Sequence, residues 1–70
     1  MNRQNVSSSN IRSIGYDFKS QTLEIEFHSS DIYQYFNVPN SRYNALMSAS
    51  SHGSFFNRHI KDKFRWRKIR

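Results

Sequence analysis

Seventy residues suffice for one domain with a thin core, because a chain this short buries only about 60% of its unfolded surface. The absence of cysteine excludes disulfides and thiolate metal sites and points to a reducing, cytoplasmic compartment, and no apolar run approaches the roughly 20 residues of a membrane-spanning helix. The formal charge of +6 is unevenly placed: residues 1–57 carry four basic and four acidic side chains, whereas residues 58–70 carry seven basic ones against Asp62 alone.

In chain order, residues 1–9 are polar, with three consecutive serines and no apolar segment of the kind a secretory signal needs, and are expected to form a flexible N-terminal arm. Residues 10–67 are expected to be the single folded domain and 68–70 a basic tail end. In "IRSIGYDF", Ile14, Tyr16 and Phe18 alternate as a strand requires, and "KSQ" turns the chain. "TLEIEFH" is the cleanest pattern: Leu23, Ile25 and Phe27 alternate with Glu24, Glu26 and His28, so the two glutamates read as ordinary solubilising residues on a wet face.

"IYQYFNV" predicts a third strand, rich in aromatic and β-branched residues. A one-residue change in the preceding loop flips every side chain. A three-residue loop drawn from 28–31 places Tyr33 and Tyr35 beside Leu23, Ile25 and Phe27; a two-residue loop places Ile32 and Phe36 there instead, and the odd loop is favoured.

Pro39 ends the sheet and suits the first turn of a helix. Tyr43, Leu46, Met47 and Ser50 then follow helical spacing. Gly53 marks a joint between two helices, with Ser50 or Ser51 capping the second, in which Phe56, Ile60 and Phe64 form one apolar ridge. Asn57 has poor helix propensity, and its amide is expected to satisfy backbone groups at the 50–53 joint. "KFRWRK" alternates rings and cations as an edge strand or extended tail. The predicted fold class is therefore α+β: a three-stranded antiparallel meander, two short helices, and a basic C-terminal strand or tail.

"SSNIRSIGYD", "LEIEF", "YQY", "VP" and "SASSHGSFFNRHIKDKF", in this order and spacing, resemble the KTSC domain, a module named for the C-terminus of some lysyl-tRNA synthetases and also found free-standing. The likeness covers residues 7–67 and rests on Tyr33-x-Tyr35, Val38-Pro39, Ala49-Ser50-x-x-Gly53 and Phe56-Asn57-x-x-Ile60. The family usually has a glycine in the turn that Ser29-Ser30 occupies here. The resemblance implies a fold and no established activity; RNA binding is a suggested role.

The residues themselves give no catalytic or metal signature. His28, His52 and His59 lack zinc spacing, and no nucleophile-and-base pattern appears; no cofactor is implied. Each aromatic ring buries about 150–250 Å², so core packing is the first reading of Tyr33, Tyr35 and Trp66, with base stacking the second. The basic segment suits a polyanion. A non-catalytic nucleic-acid-binding module, for RNA or a single strand, is expected to use Arg58, Lys61, Lys63, Arg65 and Arg67, with Arg12 and Arg42 as outlying members. The alternative is an interaction module whose basic face meets an acidic protein surface.

Overall fold

The computed structural model describes residues 1–70. Five antiparallel strands lie in the order β1 (Arg3–Asn5), β2 (Ile11–Asp17), β3 (Thr22–Phe27), β4 (Ile32–Tyr35) and β5 (Trp66–Lys68). Between β4 and β5 the chain forms α1 (Asn40–Ser48) and α2 (His52–His59), giving an α+β architecture. The expected three-stranded meander is thus corrected to five strands. Residues 3–5, assigned by sequence to the arm, pair with β2, and residues 66–68 pair with β4. The tail end joins in too: the Ile69 amide donates to the Ile32 carbonyl at 2.8 Å, and the Ile32 amide to the Arg70 carbonyl at 2.7 Å. Each outer strand has three residues; β1 is too short for alternation to show, while β5 is the edge strand that the alternation in "KFRWRK" allowed.

Strand parity decides what faces the helices. Ile14 pairs with Ile25, Tyr16 with Leu23, Ile25 with Tyr33 and Leu23 with Tyr35, so all of these side chains share one face. Ile11 and Ile14, three apart, are both buried because the register shifts between Ile11 and Ser13. The exposed extra residue, Arg12, is turned outward, and its Nη2 donates to the His28 carbonyl at 3.2 Å.

The β3–β4 loop is the odd one. Phe27 N–H donates to Asp31 at 2.9 Å, leaving residues 28–30 as a three-residue loop with Ser30 at φ 77°. That left-handed position is where such hairpins favour glycine, which accounts for the glycine usual in similar sequences.

Ser51 caps α2 by accepting the Ser54 amide at 3.2 Å. Gly53 lies in the first turn of α2 rather than at the joint, and a Cβ there would sit 2.5 Å from Asn10 Oδ1. Its role is close approach of the segment before β2. The helices cover Ile11, Ile14, Leu23 and Ile25, and Val38, Leu46, Phe56 and Ile60 complete the buried cluster with Tyr35; Phe64 is only partly buried against it.

The opposite face is polar but not simply wet. Glu24 is 5% exposed. It is paired with Arg3 and accepts Gln34 Nε2 at 2.9 Å. Arg3 Nε also donates to Ser13 Oγ at 3.1 Å, and Ser13 donates to Glu26 at 2.8 Å. The solubilising role expected for the two glutamates is corrected: they hold β1 onto the sheet. Gly15 permits this, since a Cβ there would meet the Asn2 carbonyl at 2.9 Å.

Two stability outcomes follow from this packing. Phe56 is 3% exposed, so Phe56→Ala is expected to cost about 3–5 kcal/mol in urea melts. Ser30→Gly relieves a left-handed residue and is expected to raise stability by up to about 1 kcal/mol; an unchanged melt would show the turn to be unstrained.

Candidate functional site

The helical cover does not extend to β5, whose three residues are all exposed and outside the buried cluster. Burial falls off accordingly along one row of paired residues: Leu23 is 0% exposed, Tyr35 5% and Trp66 53%. The docked ring expected for Trp66 is corrected by this observation. β5 holds it opposite Tyr35, beyond the helical cover, with its ring centroid 5.5 Å from that of Tyr33.

What remains open is a groove of about 590 Å³. Its aromatic lining comes from three directions. Tyr33 and Tyr35 rise from β4 with ring centroids 6.4 Å apart, Phe27 meets Tyr33 edge-on at 5.8 Å, and Phe56 of α2 meets Phe27 and Tyr35 at 5.6 and 5.4 Å. These T-shaped contacts place ring edges against ring faces, the favoured arrangement. The rim is polar: Asn10 before β2, the hairpin residues His28, Ser29 and Asp31, and Asn57, Lys61 and Asp62 from α2 and the turn after it.

Several rim and floor groups are chemically unspent. Tyr35 is nearly buried, yet its hydroxyl makes no hydrogen bond within the chain and opens into the groove. Burial, with smaller contributions from Tyr33 and the Asp62 charge, pushes its ionisation up to about 12. Asn57 does not serve the 50–53 joint as expected; it is exposed on the groove side of α2. His28 is tied by Nε2 to the Ser8 carbonyl at 2.9 Å, His52 by Nδ1 to the Leu46 carbonyl at 2.9 Å, and His59 lies against Phe55 at 4.5 Å. The three histidines thus sit in separate surroundings, and no group of three or more His, Cys, Asp or Glu side chains is placed to hold a metal ion.

The five C-terminal cations named from sequence separate into three sets. Lys61 lines the groove, with Lys63 two residues further along the connection from α2 to β5, whereas Arg65, whose carbonyl accepts the Phe36 amide at 2.9 Å, lines a separate hollow with Phe36 and Arg67. Arg58 borders a smaller hollow with Phe55 and His59, and Arg67 stands on the opposite sheet face, across from Gln34. None of these five makes an ion pair. Arg42 is different: its Nη1 donates to the His59 carbonyl at 2.6 Å and its guanidinium lies 5.8 Å from the Phe64 ring centroid, so it caps α2. With Arg12 held at His28, both outlying members have intrachain roles.

A small α+β domain with an aromatic groove at the uncovered edge of an antiparallel meander is the class this geometry defines. The chain belongs to the KTSC domain family, which matches residues 7–64. A lysine–tRNA ligase from Nostoc punctiforme is 44% identical over 59 residues, 84% of this chain and 10% of the ligase. The chain therefore spans about a tenth of the length of the lysine–tRNA ligases it matches. An uncharacterized protein from Stutzerimonas stutzeri is 44% identical over 61 residues, 86% of that protein. The crystal structure of a KTSC domain protein from Yersinia pestis superposes with a TM-score of 0.96 at 51% identity, covering 99% of this chain and 97% of that one.

The groove tyrosine makes a pH prediction. Its folded-state value lies above the ordinary value of 10.0, so the folded state holds the proton more tightly. That contribution to stability is complete below pH 10 and is lost as pH rises from about 10 to about 12. Tyr35→Phe is expected to flatten this part of the alkaline stability curve, measured by urea melts at stepped pH; an identical slope would place the hydroxyl in open water.

Proposed function

We propose that this protein is a non-catalytic nucleic-acid-binding module that takes a single strand, RNA in preference. Trp66 and Tyr33 offer ring faces to bases at the groove mouth. Lys61 and Lys63, with Arg58 further along α2, follow the phosphates. The observation that carries this reading is a half-exposed tryptophan at the mouth of an aromatic groove, bordered by cations without ion partners. Proteins that hold single strands combine these two elements, ring faces for bases and Lys or Arg for the backbone. Lysine–tRNA ligases carry a similar segment, and the RNA in their name favours RNA here. Arg65 and Arg67 share the side away from the groove and serve as more distant charges.

Trp66 is the only tryptophan, so its fluorescence reports the groove mouth directly. Emission of the free protein is expected to be solvent-exposed and to be quenched by a short oligoribonucleotide. Trp66→Ala is expected to weaken binding by about 1–3 kcal/mol and to leave the melt nearly unchanged. With three or four phosphate contacts, log K is expected to fall against log salt with a slope of about −2 to −3. Reversing both Lys61 and Lys63 to Glu is expected to abolish binding, and undiminished affinity in that variant would overturn the proposal.

A further inference from the structure

Five carboxylates are present in the chain, and four of them are engaged. Asp17 accepts the Lys19 amide and the Ser20 hydroxyl, Glu24 is held by Arg3 and Gln34, Glu26 accepts Ser13, and Asp31 pairs with Lys68 at 3.4 Å and accepts Ser29. Asp62 alone has no hydrogen-bond or ion-pair partner, and it stands on the groove rim.

Asp62 is exposed, between Lys61 and Lys63, and lies at φ 63° in the turn after α2. Aspartate, asparagine and glycine all accept that left-handed backbone, so the turn accounts for the residue without requiring its charge. A negative charge just beyond the C-terminal end of a helix is electrostatically unfavourable, and beside a strand of phosphates it is repulsive. Its carboxylate is free to accept hydrogen bonds from a ligand group in the groove. A second group asks for the same ligand: the nearly buried Tyr35 presents an unpartnered hydroxyl to the same groove.

Resting on the nucleic-acid reading above, we infer that the groove selects guanine, whose adjacent N1–H and N2–H donors match one carboxylate, that of Asp62. The Tyr35 hydroxyl and the Asn57 amide supply donors for the guanine O6 and N7 acceptors, while Trp66 and Tyr33 take the ring face. Adenine and cytosine each offer an exocyclic amino group and uracil a lone imide N–H, so none of them can give a carboxylate two adjacent donors. A good two-point contact to a base edge separates it from the wrong base by about tenfold or more.

Fluorescence anisotropy with short oligouridylates carrying one central guanosine, adenosine or cytidine, and with the plain oligouridylate, tests this. The guanosine-containing strand is expected to bind about tenfold tighter than the others. Asp62→Asn keeps the left-handed turn and removes the charge. It is expected to fold as well as the parent, to lose the guanosine preference, and to bind the other three strands equally or more tightly as phosphate repulsion falls. The opposite signs for the two classes of strand separate base selection from a general loss of affinity. Binding of all four strands without preference, or a preference that survives Asp62→Asn, overturns the guanine assignment while leaving single-strand binding in place. Failure of every strand to bind overturns the nucleic-acid reading itself, and the inference with it.

Discussion

The parity of one short loop controls the helix side of this molecule. Because residues 28–30 make a three-residue connection, β4 enters the sheet with Tyr33 and Tyr35 facing the helices and Gln34 facing away. A loop shorter by one residue would reverse this. Gln34 would then enter the core, Glu24 would lose its amide partner, and the tyrosines would stand alone on the polar face. β5 pairs with β4, so its parity is inherited: Trp66 joins the tyrosines and Arg67 joins Gln34.

Given that parity, the extent of the helical cover separates the rings that become core from those that line the groove. The same row of side chains runs from a sealed leucine through a nearly sealed tyrosine to a half-exposed tryptophan. Phe56 belongs to both regions, buried against Tyr35 and Phe27 while forming one wall of the cavity. Stability and the candidate site are therefore coupled through shared rings, and changes at Phe56 act on both.

Electrostatic organisation follows from the polar face. Arg3, Ser13, Glu24, Glu26 and Gln34 form one connected hydrogen-bond system that fastens β1 across Gly15. Ser13 donates to Glu26 and, with nearby arginines, holds its carboxyl below the usual range. These interactions use Glu24 and Glu26 on the far face, leaving Asp62 as the one acid in α2 and the segment after it. The cations there consequently face solvent without partners, and a basic surface results from where the acids are used as much as from where the basic residues lie.

Much of this was legible in the chain. Alternation in "TLEIEF" and "YQY" identified β3 and β4, the odd loop set their relative facing, and the order of short motifs marked the family. β1 was not legible as a strand and β5 only as a strand or tail, because three-residue pairings are held by neighbours more than by their own patterning. Nor was the bulge at Arg12, which aligns Ile11 with Ile14. The basic segment was visible as composition, but Lys61 and Arg67 lie on opposite sides of the sheet, a separation that only pairing with β4 decides. Asn10, Asn57 and Asp62 are far from Tyr33 in sequence and carry no local signal that they border one cavity. By itself the sequence determined which residues are apolar, which faces alternate and where charge accumulates, because these are properties of neighbours along the chain. Tertiary structure alone decided that the helical cover stops short of β5, because burial there depends on contacts between elements far apart in the chain.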